Sequence, residues 1–135
     1  MALPPIFKFK NIRARLTTTP TLIYGMITNN GTANTLDPGI RPADVSVVIL
    51  TVQVSNLTTA TVPVSAYVEN GQTAVLSANA RTLVKDYPLI AKNAFDPLSG
   101  NLVLASGDQL WITAGVVDSC DVVVSLLEIA NATAS

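Results

Sequence analysis

The chain contains no histidine. That removes the Ser-His-Asp and Cys-His constellations, and with them the commonest general base at neutral pH. It contains one cysteine, Cys120. No internal disulfide can form, so the fold does not depend on an oxidising compartment. One cysteine without histidine also excludes zinc sites of ordinary composition. Charged residues make up 13% of the chain and aromatic residues 5%. Low charge beside abundant apolar residues excludes a disordered tail, and scarce aromatics make the core aliphatic. No apolar run approaches the roughly 18 residues of a membrane-spanning helix. No glycine-rich phosphate loop is present: "SGNLVLASGD" lacks both the following Lys-Ser/Thr and a following helix. The net charge of −1 speaks against direct nucleic-acid binding. The start, Met-Ala-Leu-Pro-Pro, has no signal-peptide pattern, so synthesis in the cytoplasm is expected. Neither a cofactor, a metal nor a membrane is called for, and nothing marks the chain as an enzyme.

What remains is aliphatic. Of 135 residues, 49% are hydrophobic, and the mean hydropathy is +0.44. The length is that of one domain covering residues 1–135. It suffices for a core without staples. The hydropathy is high for a monomer and points to surface covered by other subunits, because exposed apolar patches usually mark interfaces.

The dominant period is two, and the dominant residues are Val, Ile and Thr, which pack well on a pleated sheet. Strands are predicted over 7–16, 21–26, 45–54, 61–68, 75–80, 83–90, 102–105, 109–114 and 120–129. Pro63 marks its strand as an edge or a bulge. "ENGQ" at Glu69–Gln72 reads as a tight hairpin turn. Ser106-Gly107-Asp108 reads as the turn of a hairpin joining 102–105 to 109–114. "FDPLSG" at Phe95–Gly100 reads as a turn, and "NNGTANTLDPGIRP" as a long loop. No stretch has a helical period beside helix caps. The pattern is all-β: a single antiparallel β-sandwich, jelly-roll or immunoglobulin-like, of about eight short strands. Val122, Val123, Val124, Leu126, Leu127 and Ile129 predict an inner strand buried on both faces near the end of the chain. Its second face would be covered by a long loop, the N-terminal segment or another subunit, and the hydropathy favours a subunit.

The basic residues are unevenly placed. Lys8, Lys10, Arg13 and Arg15 are half of the eight, and no acid precedes Asp37. Phe7 and Phe9 alternate with Lys8 and Lys10, which places the phenylalanines on one face and the lysines on the other. In one reading the lysines guard an edge strand against stray pairing, and Phe7 and Phe9 join the core. In the other, residues 1–16 form an extended arm. Pro4 and Pro5 would keep its tip extended, Phe7 and Phe9 would anchor it, and the four basic residues would meet acidic groups on a partner. Such attraction fades with salt. Trp111 reads as core or interface, and Cys120 as a small core residue. Asp96, Asp118 and Asp121 read as turn formers and strand-end groups. "DPG" at Asp37 lacks the spaced carboxylates of a calcium loop. Asn30, Asn56 and Asn131 begin Asn-x-Thr triplets that the threonine-rich composition explains.

Four segments in order carry a resemblance: "ARLTTTPTLIY", "VVILTVQVSNLTTATVPVSAYV", "LVLASGDQLWITA" and "CDVVVSLLEIA". Together they resemble a family of small virion proteins of tailed bacteriophages, especially phages of cyanobacteria and other aquatic hosts. The matching stretches are Leu16 to Tyr24, Val45 to Asn56, Gly107-Asp108 and Asp121 to Glu128. Residues 27–44 stand where the family has a short Ala-Pro-Ala-Gly turn. The resemblance implies a non-enzymatic head decoration (cement) protein, often a homotrimer, with the phage major capsid protein as partner. It equally implies a neck or tail accessory protein. The protein would then reside in the virion. The rival reading, outside the resemblance, is a receptor- or glycan-binding β-sandwich, which would want exposed aromatics where this chain has few.

Overall fold

The structure is a computed structural model that describes residues 6–25, 45–70, 76, 78, 80–98, 100–104 and 108–130. Among these residues every regular element is a strand. There are nine: β1 (Ile6–Arg15), β2 (Thr21–Tyr24), β3 (Val45–Asn56), β4 (Val62–Glu69), β5 (Arg81–Leu89), β6 (Ala94–Phe95), β7 (Leu102–Leu104), β8 (Gln109–Ala114) and β9 (Cys120–Ala130). They form two antiparallel sheets. The larger has the order β1-β9-β3, with β6 and β7 sharing the far side of β3; the smaller has the order β2-β8-β4-β5. This is the expected β-sandwich.

Period-two alternation builds the core. Val47, Ile49, Val52, Val54, Val122, Val124 and Leu126 come from the larger sheet. Ile23, Val62, Val64, Ala66, Leu110, Ile112 and Ala114 meet them from the smaller. The phase of β3 changes at Leu50, where a register shift between Ile49 and Thr51 inserts one extra residue, and both Ile49 and Val52 therefore face inward. At about 25 cal/mol per Å² of apolar surface buried, branched side chains across two such faces supply the main driving force. At the sandwich's open side Tyr87 of β5 stacks on Phe95 of β6, with ring centroids 4.1 Å apart, so an aromatic pair bridges the sheets.

Buried polar groups are satisfied locally. Asn56 ends β3 with its side chain inside: Nδ2 donates to the carbonyls of Ala60 (2.8 Å) and Leu89 (2.9 Å). Its Oδ1 accepts from the Thr58 amide (2.9 Å) and hydroxyl (2.8 Å). The Asn-x-Thr triplet at Asn56 is therefore a turn lock. The Ser65 hydroxyl accepts the Asp86 amide at 2.8 Å. Asp86 takes φ of 51° where the β4–β5 register shifts, so this site is a bulge. Gly25 has φ of +141°, and a Cβ there would lie 2.9 Å from the Gln109 Cα, so a side chain is excluded twice over.

Several expectations are corrected. β9 lies between β1 and β3, as an inner strand, but it is buried on one face only: Val122, Val124 and Leu126 face the core while Val123 is 43% exposed. Residues 102–104 and 109–114 are not a hairpin, because β7 pairs with β3 and β8 belongs to the other sheet. The neighbours in sequence that do pair are β4 and β5, and the Glu69–Gln72 turn lies largely outside the described residues. Of the strand expected over 75–80, the described positions Leu76, Ala78 and Ala80 belong to no strand. β6, which overlaps the start of the predicted 95–100 turn, is too short to read from sequence. Pro63 is on an inner strand, at its second residue, beyond the last β4–β8 pair, and the bulge of β4 follows directly. The loop between β2 and β3, with Asp37 and Asn30, lies outside the described residues, as do the Pro4-Pro5 tip and Asn131.

Candidate interaction surface

All six residues singled out in the basic segment lie on β1, which is a sheet-edge strand paired with β9 along its whole length. Within the described residues, 6–15 are thus part of the sheet. The two-face pattern is present, but inverted relative to the core. Phe7 and Phe9 point away from the sandwich and are 60% and 75% exposed. They do not join the core. Lys10 points inward with Ile12, and its Nζ lies 3.2 Å from Glu128 Oε1. Lys8 is exposed on that same side, and Arg13 is exposed on the outer face. Arg15 is opposite Asp121 in the ladder and forms an ion pair with it. The hydrogen bond and charge of Asp121 push the guanidinium pKa further up. Only Lys8 and Arg13 of the four basic residues have no charge partner among the described residues.

The register aligns outward side chains into rows across the larger sheet. Phe9 is opposite Leu127, Leu127 is opposite Val48, and Val48 is opposite Val103. This row is apolar over four strands. The next holds Phe7, Ile129 and Ser46. On its other side lie Asn11, Ser125 and Thr51, where the Ser125 hydroxyl donates to Asn11 Oδ1 at 2.8 Å. Beyond them are Arg13, Val123 and Gln53, then Arg15, Asp121 and Ser55. Half of the outer face is apolar and the other half polar and nearly neutral. Leu127, Val48 and Val103 escape sequence reasoning because nothing in an apolar run says which residues face out.

The smaller sheet differs. Leu22, Trp111 and Tyr67 are aligned on its outer side, yet Trp111 is only 2% exposed. Its indole N–H donates to Gln109 Oε1 at 3.4 Å. A buried indole cannot stack on a sugar, so Trp111 is not the aromatic platform that a glycan-binding module would use.

Two clefts formed by described residues test for catalysis. One, of about 340 Å³, is lined by Thr51, Gln53, Phe95 and Asp96. The other, of about 320 Å³, is lined by Pro20, Ser65, Tyr67, Lys85 and Asp86. Each holds one carboxylate, whereas carboxylate-pair hydrolysis needs two, roughly 5 to 10 Å apart. Asp96 Oδ1 is occupied by the Leu98 amide at 2.8 Å, as a turn former. Asp118 sits in a turn with φ of 57°, and Asp121 is paired with Arg15. Among the described residues no group of three His, Cys, Asp or Glu could hold a metal ion, and no helix is long and apolar enough to cross a membrane. Cys120 is fully buried, and burial pushes its thiol pKa up, which disfavours the reactive thiolate.

Comparison with known proteins adds the fold class. No known family pattern matches the chain, and no curated protein sequence does. Among solved structures, the chain is similar to a Bacillus endospore appendage protein described as forming disulfide-linked pili (TM-score 0.52, 10% identity, covering 96% of this chain and 89% of that one). It is also similar to the VP2 subviral particle of infectious bursal disease virus (TM-score 0.51, 16% identity, covering 96% of this chain and 33% of that one). The chain spans about a third of that capsid chain. One of these proteins builds a pilus and the other a subviral particle, and the likeness to both is one of fold: the β-sandwich.

Proposed function

We propose that the chain is a non-enzymatic structural protein of a virion: a head decoration (cement) protein of a tailed bacteriophage that binds the assembled shell as an oligomer and stabilises it. The observation that carries this reading is the outer face of the larger sheet. It keeps large apolar side chains in water on a fold whose two clefts among the described residues each hold a single acid. A protein that functions alone gains nothing from that exposure. The pilus and capsid likenesses support a β-sandwich used as a building block, and the sequence resemblance supplies the phage head.

Attachment to the major capsid protein is assigned to β1. Its outer backbone edge, which pairs with no strand among the described residues, suits strand addition, and Lys8 and Arg13 are the charges available to acidic groups on the shell. Lys10 and Arg15 are engaged within the protomer. The test is binding to shells stripped of this protein. A chain carrying both Lys8→Glu and Arg13→Glu should stay folded and decorate shells several-fold more weakly, and wild-type decoration should weaken as salt rises. Undiminished binding of the double variant would overturn the assignment. Binding to isolated necks or tails, with none to heads, would move the protein to those structures.

A further inference from the structure

We propose that the apolar half of the larger sheet's outer face is where a second copy of this chain docks, sheet against sheet, about a two-fold axis that runs along the strands between Leu127 and Val48. The inference rests on the reading of the chain as an assembly subunit and names the surface and the geometry of the contact.

Area is the first argument. Phe7, Phe9 and Val103 are 60%, 75% and 65% exposed. With about 200 Å² per aromatic, the two phenylalanines alone leave roughly 270 Å² of apolar surface in water. A standard interface covers about 800 Å² per partner, of which about 57% is apolar. The two phenylalanines therefore supply more than half of the roughly 460 Å² of apolar area that one side of such an interface contributes, and Val103 adds to it.

Shape is the second. The row Phe9–Leu127–Val48–Val103 grades from large to small across four strands. A two-fold axis along the strands reverses that order in the second copy. Each Phe9 then lies over Val103 of the second copy, and each Leu127 over its Val48. Large over small is how facing layers interdigitate at native density. A two-fold contact is self-complementary and closes on itself, so it yields a finite assembly.

Charge is the third. The face holds one uncompensated cation among the described residues, Arg13, since Arg15 and Asp121 neutralise each other. Two copies therefore meet without strong repulsion. An acidic shell surface would find little charge here to recognise, whereas a second copy finds an apolar row matching its own.

The test uses exposed positions, so that folding is preserved. Phe9 and Val103 are three strand spacings apart in one protomer, about 14 Å, too far to pair with each other. Across the two-fold they are neighbours. Phe9→Lys and Val103→Glu, made singly, should each halve the mass measured by analytical ultracentrifugation at tens of micromolar. The chain carrying both should regain the wild-type mass, because each new cation meets an anion of the other copy. Wild type that sediments as a monomer, single variants with unchanged mass, or a double variant that stays dissociated would each overturn the proposal. Stripped-shell binding of the same variants separates this inference from the functional reading. Shells decorated by a monomeric wild type keep the cement reading and sink the dimer; loss of decoration by Phe9→Lys in a monomeric protein gives the face to the shell.

Discussion

The phenol of Tyr24, on the smaller sheet, donates a 2.6 Å hydrogen bond to Oε2 of Glu128, on the larger one. The other carboxylate oxygen meets Lys10 at 3.2 Å. Glu128 is only 8% exposed and sits on the core-facing side of β9, so this is a polar clamp inside one end of the sandwich. Hydrogen bonds to a charged group contribute about 1.5–3 kcal/mol. Tyr24→Phe keeps the packing and removes one such bond, so unfolding by denaturant should show a loss of about 2 kcal/mol. Lys10→Met, which takes the nearby cation from the carboxylate, should cost at least as much. Wild-type stability in Tyr24→Phe would mean that the clamp contributes nothing.

β9 offers a sharper contrast. Leu126→Asp places an unpaired carboxylate in the core, and its desolvation rivals the whole stability of a domain this size. No soluble folded protein is expected. Val123→Asp, three residues earlier, lies on the outer face directly opposite Arg13. A cross-strand pair of opposite charges is worth about 0.2–1 kcal/mol, so the variant should fold with stability within about 0.5 kcal/mol of wild type. Circular dichroism and thermal melting decide it. Equal damage from both substitutions would contradict the one-sided burial of β9.

That contrast shows where the sequence is legible. The strands β1, β3, β8 and β9 read directly from period two and branched residues, and the inner place of β9 follows from sandwich topology. The facing of β9 does not, because Val123, Leu127 and Ile129 are as apolar as the core residues between them. Phe7 and Phe9 pose the same problem reversed. Their alternation with Lys8 and Lys10 is plain, but the inner side at that end of β1 holds Glu128, which accepts Lys10. The sandwich therefore takes the lysine and turns the phenylalanines out. Pairing of β7 with β3 and of β8 with β4 is hidden, since two strands so close in sequence look like a hairpin until distant partners are known. The interaction surface inherits these limits: Phe7 and Phe9 are legible, whereas Val48, Val103 and Leu127 need the register.

Asn56 closes the end of β3 with four side-chain hydrogen bonds to Ala60, Leu89 and Thr58. Asn56→Ala strands the Leu89 carbonyl inside and frees the turn. At about 1 kcal/mol per bond net, plus the penalty of an unsatisfied buried group, the loss should reach about 3 kcal/mol by denaturant titration. A loss below about 1 kcal/mol would show the turn to be held by its backbone alone.

Cys120 should not react with a thiol reagent at about pH 8, near the ordinary thiol pKa, until the protein unfolds, since its thiol is buried and its pKa is raised chiefly by that burial. The sign for stability follows. The folded thiol keeps its proton above the pH at which the unfolded thiol loses it, so its contribution is complete below the unfolded pKa and is lost as pH rises toward the folded one. Rapid labelling of the native protein would contradict the burial. The same burial separates this chain from disulfide-linked pili: non-reducing electrophoresis of native assemblies should show monomers.

The central claim is that this sandwich is a part of a particle. A cryo-electron map of the intact virion tests it most directly. The map should show density for the two-sheet sandwich on the head shell, with β1 toward the capsid protein and the outer face of the larger sheet covered by a second copy. A particle that lacks the protein altogether, with the chain found only in the infected cell, would contradict it.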